Sequence, residues 1–216
     1  YMFLLIDTST KNAGIGVYST DTLTGKKTWA SQYNHSQELF VALESIFAET
    51  QTTMADVTSI GLALGPGGYS SVRSGVSVGK TIAYAQKVPI YGYNTHDLEA
   101  TAHKQPGMKM CSVIEAGKSV LSYAVYDQDG QRIGPDQVSD INTIISSLDA
   151  GTLVCGEGVK AYQTEIEELG GSVVTWESQF ARLEALGALT QQRHALGDAN
   201  SLEDIEPIYA RPPSIG

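Results

Sequence analysis

ALGPGGYSSVRSGVSVGK, residues 63–80, decides how this chain is read. It begins at the end of an apolar strand, Val57 to Leu64, turns at Gly65-Pro66-Gly67-Gly68, and continues as a helix from Tyr69 to Gln86. The turn glycines permit positive φ and close backbone approach. The end of the stretch imitates a phosphate loop, G-x-x-x-x-G-K-[ST], but from Gly75 to Thr81 it is one residue short, and Ser74 stands where the first glycine belongs. Val72, Val76, Ile82 and Ala83 recur at helical spacing, and a regular helix has no free inward N–H groups to cradle a phosphate. Ser71, Gly75, Gly79 and Ala83 lie four apart and share one helix face. A helical glycine costs roughly 1 kcal/mol relative to alanine. The stripe therefore predicts a close neighbour, either this chain's own sheet or a helix of another chain.

Outward from this stretch, the first half reads as strand, turn, strand: Met2–Asp7, Ala13–Tyr18, then Lys26–Tyr33. A helix follows over residues 34–50, with Leu39, Phe40, Leu43, Ile46 and Phe47 on one apolar face and Asn34 with Gln37 as a capping box. Pro89 stops the next helix, IYGY is a strand, and THDLEATAH is a short helix capped by Thr95. The polar HKQPGMK stretch marks a boundary, giving an N-terminal subdomain over 1–104 and a smaller one over 105–216 with a proline-rich tail. The second half starts again with two strands, MCSVIEAG and SVLSYAVYD, then alternates helices and strands. The expected fold is α/β: two related subdomains with mixed sheets flanked by helices and a cleft between them.

The chain has 216 residues, 14 Lys+Arg against 24 Asp+Glu, and a formal charge of −10. Hydrophobic residues make up 42% and charged residues 18%, a globular and not a disordered balance. Gripping nucleic acid needs clustered cations, so the acidic balance argues against this chain gripping nucleic acid by itself and leaves open a complex whose other subunit binds RNA. Cys111 and Cys155 sit in apolar stretches and read as buried, reduced thiols of a cytoplasmic protein. The opening apolar run is short and lacks a basic flank, so it reads as strand and not signal peptide. No run approaches a membrane span.

LLIDTST (residues 4–10), HSQELF (35–40), the long stretch from Gly61 to Ala100, VCGEGVKAY (154–162) and EPIYARPP (206–213) occur in this order. Together they resemble the TsaB (YeaZ) family, with residues 61–100 the most specific part. The resemblance implies the actin-like (ribonuclease H-like) fold of the actin/sugar-kinase/Hsp70 superfamily. It implies a non-catalytic subunit that dimerises with TsaD, works with the ATPase TsaE and helps form N6-threonylcarbamoyladenosine beside the anticodon of ANN-decoding tRNAs. It also implies contacts through the first two long helices, Leu39, Phe40, Leu43 and Phe47 with Ser71, Gly75, Gly79 and Ala83, and a homodimer when the chain is alone.

Catalytic relatives in this superfamily bind a metal through two histidines four residues apart on a helix; here the resemblance places Thr95 and Glu99 at those positions, so no metal is expected. His96 and His103 are seven apart, roughly 10 Å along a helix axis and too far for one ion, and read as surface or capping histidines; His35 and His194 have no nearby ligand candidates. Asp7, Thr8, Ser9 and Thr10 could hold a nucleotide phosphate weakly, or simply form a hairpin turn. The second half lacks a matching phosphate loop: Gly156-Glu157-Gly158 puts a negative charge there. No cofactor is expected. The competing reading is a small-molecule kinase of the same superfold, which needs that second loop; a peptidase would need a nucleophile or metal that the sequence does not assemble.

Overall fold

The computed structural model describes residues 1–32, 35–174 and 180–210. The first lobe contains β1 (Phe3–Asp7), β2 (Asn12–Ser19), β3 (Thr22–Ala30), α1 (His35–Thr50), β4 (Ser59–Ala63), α2 (Tyr69–Gln86), β5 (Ile90–Tyr93) and α3 (Thr95–His103). The second repeats the pattern with β6 (Met110–Glu115), β7 (Leu121–Tyr126), β8 (Arg132–Ser139), α4 (Ile141–Ser146), β9 (Leu153–Cys155), α5 (Val159–Glu168), β10 (Ser172–Val173) and α6 (Arg182–Leu196). The sheet orders are β3-β2-β1-β4-β5 and β8-β7-β6-β9-β10, so the lobes share one topology. In each, three antiparallel strands adjoin two parallel ones. The Asn34 cap lies outside the described residues.

Alternating side chains send each sheet's apolar residues to both faces. Leu4, Ile6, Ile60 and Leu62 pack under α1 and α2, with Leu39, Ile46, Val72 and Val76. Phe3, Leu5, Ala63 and Tyr91 face the other way, onto Leu98 of α3 and Leu183 and Leu186 of α6. In the second sheet, Cys111, Val113, Leu121 and Val154 face Ile144 and Ile145 of α4 and Ile166 of α5. Met110, Ala124 and Tyr126 face Ala100 of α3. The result is five layers: α1/α2, first sheet, α3/α6, second sheet, α4/α5.

This arrangement corrects the boundary drawn at residue 104. α6 packs on the first sheet and on α3, and Ile205 beyond it is buried in the first lobe's core. The chain after α6 also runs along the edge of β5, where Asn200 bridges Ile90 and the Ile208 amide donates to the Leu64 carbonyl. Residues 180–210 therefore belong spatially with the first lobe.

Two strands differ from the sequence reading. β3 begins at Thr22, because Thr20 (φ 50°) and Asp21 (φ 68°) form a two-residue turn with both residues left-handed, which suits a tight hairpin. β8 was missed: Gly134 and Pro135 look like loop, but an edge strand tolerates proline because one side needs no ladder partner. The short helix α3 is capped by the side chain of Asn94, which accepts from the His96 amide; Thr95 is its first helical residue.

Candidate functional site

β1 ends in Asp7 and the turn Thr8-Ser9-Thr10, beneath the N-terminus of α2 and beside α3 and α6. Arg182, at the start of α6, is 2% exposed and reaches into this corner. Its Nε donates to Asp7 Oδ2 at 2.6 Å and Nη1 to Glu99 Oε1 at 2.7 Å. Nη2 donates to Thr10 Oγ1 and to the Asn12 carbonyl, both at 2.9 Å. Glu99 is fully buried, and its second oxygen lies 3.2 Å from His103 Nε2 one turn along α3. Burial alone would raise the Glu99 carboxyl, but Arg182 and His103 override it and hold it below the ordinary range. Burial works against the Arg182 charge too, yet Asp7 and Glu99 raise its pKa on balance. The corner is a cation site whose cation is the protein's own guanidinium.

Arg182 is the functional residue that sequence reasoning missed. Its partners are separated from it by more than eighty residues, and a lone arginine opening a helix carries no local signal.

The same geometry engages the side chains of Asp7, Thr8, Ser9 and Thr10, the residues expected to hold a phosphate weakly or to form a hairpin turn. Asp7 Oδ1 accepts from the amide and hydroxyl of Ser9 while Oδ2 accepts from Arg182. Thr8 donates to the Ser71 carbonyl, and Thr10 accepts from Arg182 and from the Asn12 amide. All four side chains are buried and engaged. Thr95 and Glu99 do stand one turn apart on α3, but Thr95 Oγ1 accepts from the Gly65 amide and Glu99 is held by Arg182. Among the described residues no cluster of three metal-ligating side chains occurs.

The histidine reading is corrected as well. His96 is fully buried between Ser112 of β6 (2.7 Å) and Ser122 of β7 (2.9 Å), and His103 is buried against Glu99. Burial pushes the His96 imidazole down to about 4, so it is neutral. His35 bonds Ser31, and His194 lies against Ser59 and Tyr91. Both cysteines are buried free thiols; burial raises Cys111 to about 12 and Cys155 well above its usual value.

A cleft of about 540 Å³ opens on the other side of this corner. Thr10, Lys11, Ser31, His35 and the first residues of α2 line one wall; Glu115 and Glu157 of the second lobe line the other. The false phosphate loop is helix throughout: Lys80 Nζ donates to the Ile205 carbonyl and Thr81 to the Ser77 carbonyl.

The small stripe of α2 serves the chain itself. A methyl group at Gly75 would collide with Thr8 Oγ1, and one at Gly79 would lie 3.1 Å from Leu62. Ser71, Gly75, Gly79 and Ala83 are buried, as are Leu39 and Leu43, and Phe47 packs partly against the same core. At Gly75 and Gly79 the stripe lets helix and sheet of this chain come close, so its small residues are used within the chain. Of the assigned interface residues, Phe40 remains open, at 57% exposure. The outward faces of α1 and α2 add Val41 and Tyr84, at 58% and 75%.

Residues 29–166 match the family model of TsaD, tRNA N6-adenosine threonylcarbamoyltransferase. The chain is 25% identical to the tRNA threonylcarbamoyladenosine biosynthesis protein TsaB of Bacillus subtilis (strain 168), covering 78% of this chain and 76% of that one. It is 21% identical to TsaB of Escherichia coli (strain K12) over 96% of this chain and 94% of that protein. YeaZ from Pseudomonas aeruginosa superposes with a TM-score of 0.79 at 20% identity, covering 96% and 99% of the two chains, which shows the fold. The chain belongs to the family described by the TsaD model, and within that family its near full-length resemblance is to TsaB (YeaZ).

Proposed function

We propose that this chain is a non-catalytic subunit of the machinery that forms N6-threonylcarbamoyladenosine on tRNA. Involvement in that biosynthesis follows from its TsaB relatives. The observation that carries the non-catalytic reading is Arg182: the two buried carboxylates that could gather a metal or polarise water are both bonded to a fixed internal cation. With the guanidinium occupying the space between them, Asp7 and Glu99 are engaged with their shared counter-charge and not with a bound ion or substrate. Glu157 on the opposite wall of the cleft sets a carboxylate where a second phosphate loop would have to be, which disfavours the kinase reading.

The partner we propose is a TsaD-type transferase, bound through the outer faces of α1 and α2. Phe40, Val41 and Tyr84 supply exposed apolar and aromatic surface of the kind that anchors interfaces. The same face would join two copies when the partner is missing. TsaE and tRNA would be met through the assembled complex, as the −10 charge requires for RNA. No cofactor is needed for this role, and it is carried out in the cytoplasm.

Size-exclusion chromatography of the chain mixed with TsaD tests the partnership. Wild type should co-elute with the transferase, and Phe40→Arg should not. Co-elution unchanged by Phe40→Arg together with Tyr84→Arg would place the contact elsewhere.

A further inference from the structure

The two lobes are joined very differently on their two sides. On the α3 side the joint is dense and largely buried. His96 is held between Ser112 and Ser122. Asp97 accepts from the Tyr126 hydroxyl at 2.6 Å and from Arg132 Nη2 at 2.7 Å, and Asn94 donates to Asp136 at 2.8 Å. On the other side lies the cleft, and it is crossed at Lys11. The Lys11 amide donates to Glu157 Oε1 at 3.1 Å, and its ammonium lies 3.7 Å from Glu115.

The loop that carries Glu157 is tied to β6. Gly156 has φ 102°, and a side chain there would strike the Val113 carbonyl, which accepts instead from the Gly158 amide at 2.9 Å. Glu157 is therefore fixed to β6 and presented to the first lobe in one orientation. Lys11 sits in the turn just past β1, anchored through its neighbours Thr10 and Asn12 to Arg182. On the cleft side, among the described residues, the lobes thus meet at Lys11, through Glu157 and the exposed Glu115.

We propose that Glu157 is an inter-lobe latch: the lobes pivot about the α3/α6 layer, and the cleft between α2 and β6 opens when the Lys11–Glu157 hydrogen bond breaks. The carboxylate has little else to hold it shut. Its burial and the neighbouring Glu115 both disfavour its charge, partly against Arg182 and Lys11. Glu115 and Lys11 are the charged neighbours that share the cleft, and their ion pair is exposed and contributes little by itself.

Hydrogen exchange with residue resolution, read on the whole chain, tests the latch. In Glu157→Ala the Lys11 amide should exchange roughly tenfold faster or more, because a charge-assisted hydrogen bond is lost. Glu157→Gln keeps an acceptor oxygen and should stay near wild type. Spin labels at Ser36→Cys and Lys118→Cys, both exposed, report the opening directly, since the native thiols are buried. The distance distribution should lengthen or broaden in Glu157→Ala. Unchanged exchange at Lys11 and an unchanged distance would overturn the proposal. So would a loss of protection spread over β1 and β6 alike, which would make Glu157 a support of the fold and not a latch.

Discussion

Arg182 donates hydrogen bonds to Asp7, Glu99, Thr10 and the Asn12 carbonyl from a position with almost no water contact. Removing it would take the shared guanidinium from two buried carboxylates, leaving Glu99 only His103. Breaking one side of a buried ion pair costs about 3–5 kcal/mol. In urea titrations Arg182→Ala should therefore lower the unfolding free energy by that amount or leave the chain unfolded; a loss under about 1 kcal/mol would show that water reaches the corner. His96 makes a second residue-scale prediction. An unfolded histidine takes up its proton near 6.5, but the buried ring does so only near 4. The unfolded state binds more protons in that window, so stability is complete above it and declines as pH falls through it. The slope is at most roughly 1.4 kcal/mol per pH unit. Urea titrations of wild type against His96→Gln should show this slope in the first only. Equal slopes would assign the acid sensitivity to other groups.

At the scale of elements, α2 shows how close packing is written in sequence and how it can be misread. Its span, Tyr69–Gln86, follows from the turn glycines and the apolar spacing, and it ends at Lys87 in the left-handed conformation (φ 56°). The small stripe announced that something must lie close. Periodicity alone gives a face, not what meets it, and here the face meets Thr8 and Leu62 of the chain's own sheet. β8 was illegible because its exposed edge tolerates Gly134 and Pro135, and α6 was assigned to the wrong lobe because order along the chain does not report layer. The Asp7–Arg182 contact spans 175 residues, beyond any local pattern. By contrast, the doubled architecture was visible, because each lobe repeats its strands and helices in the same order. These placements separate core from surface in a testable way. Gly75→Ala should cost about 1–3 kcal/mol by overpacking against Thr8. Phe40→Ser on the exposed face should change stability by less than about 0.5 kcal/mol. Thermal melts of the two variants check this; equal losses would mean that α1 and α2 are not divided into an inner and an outer face.

Over the whole molecule, one lobe plan is used twice around a shared α3/α6 layer, and the corner where chemistry could have been built is filled by Arg182. The outer helical face and the cleft are open to other molecules. We propose that the chain acts in tRNA modification as a partner and not as a catalyst. The most direct measurement is formation of N6-threonylcarbamoyladenosine on an ANN-decoding tRNA, reconstituted from purified TsaD, TsaE and this chain. With threonylcarbamoyl adenylate supplied as the donor, product should form only when the chain and TsaD are both present, and folded Phe40→Arg should fail to support it. Product from this chain without TsaD, or equal product when the chain is left out, would contradict the account.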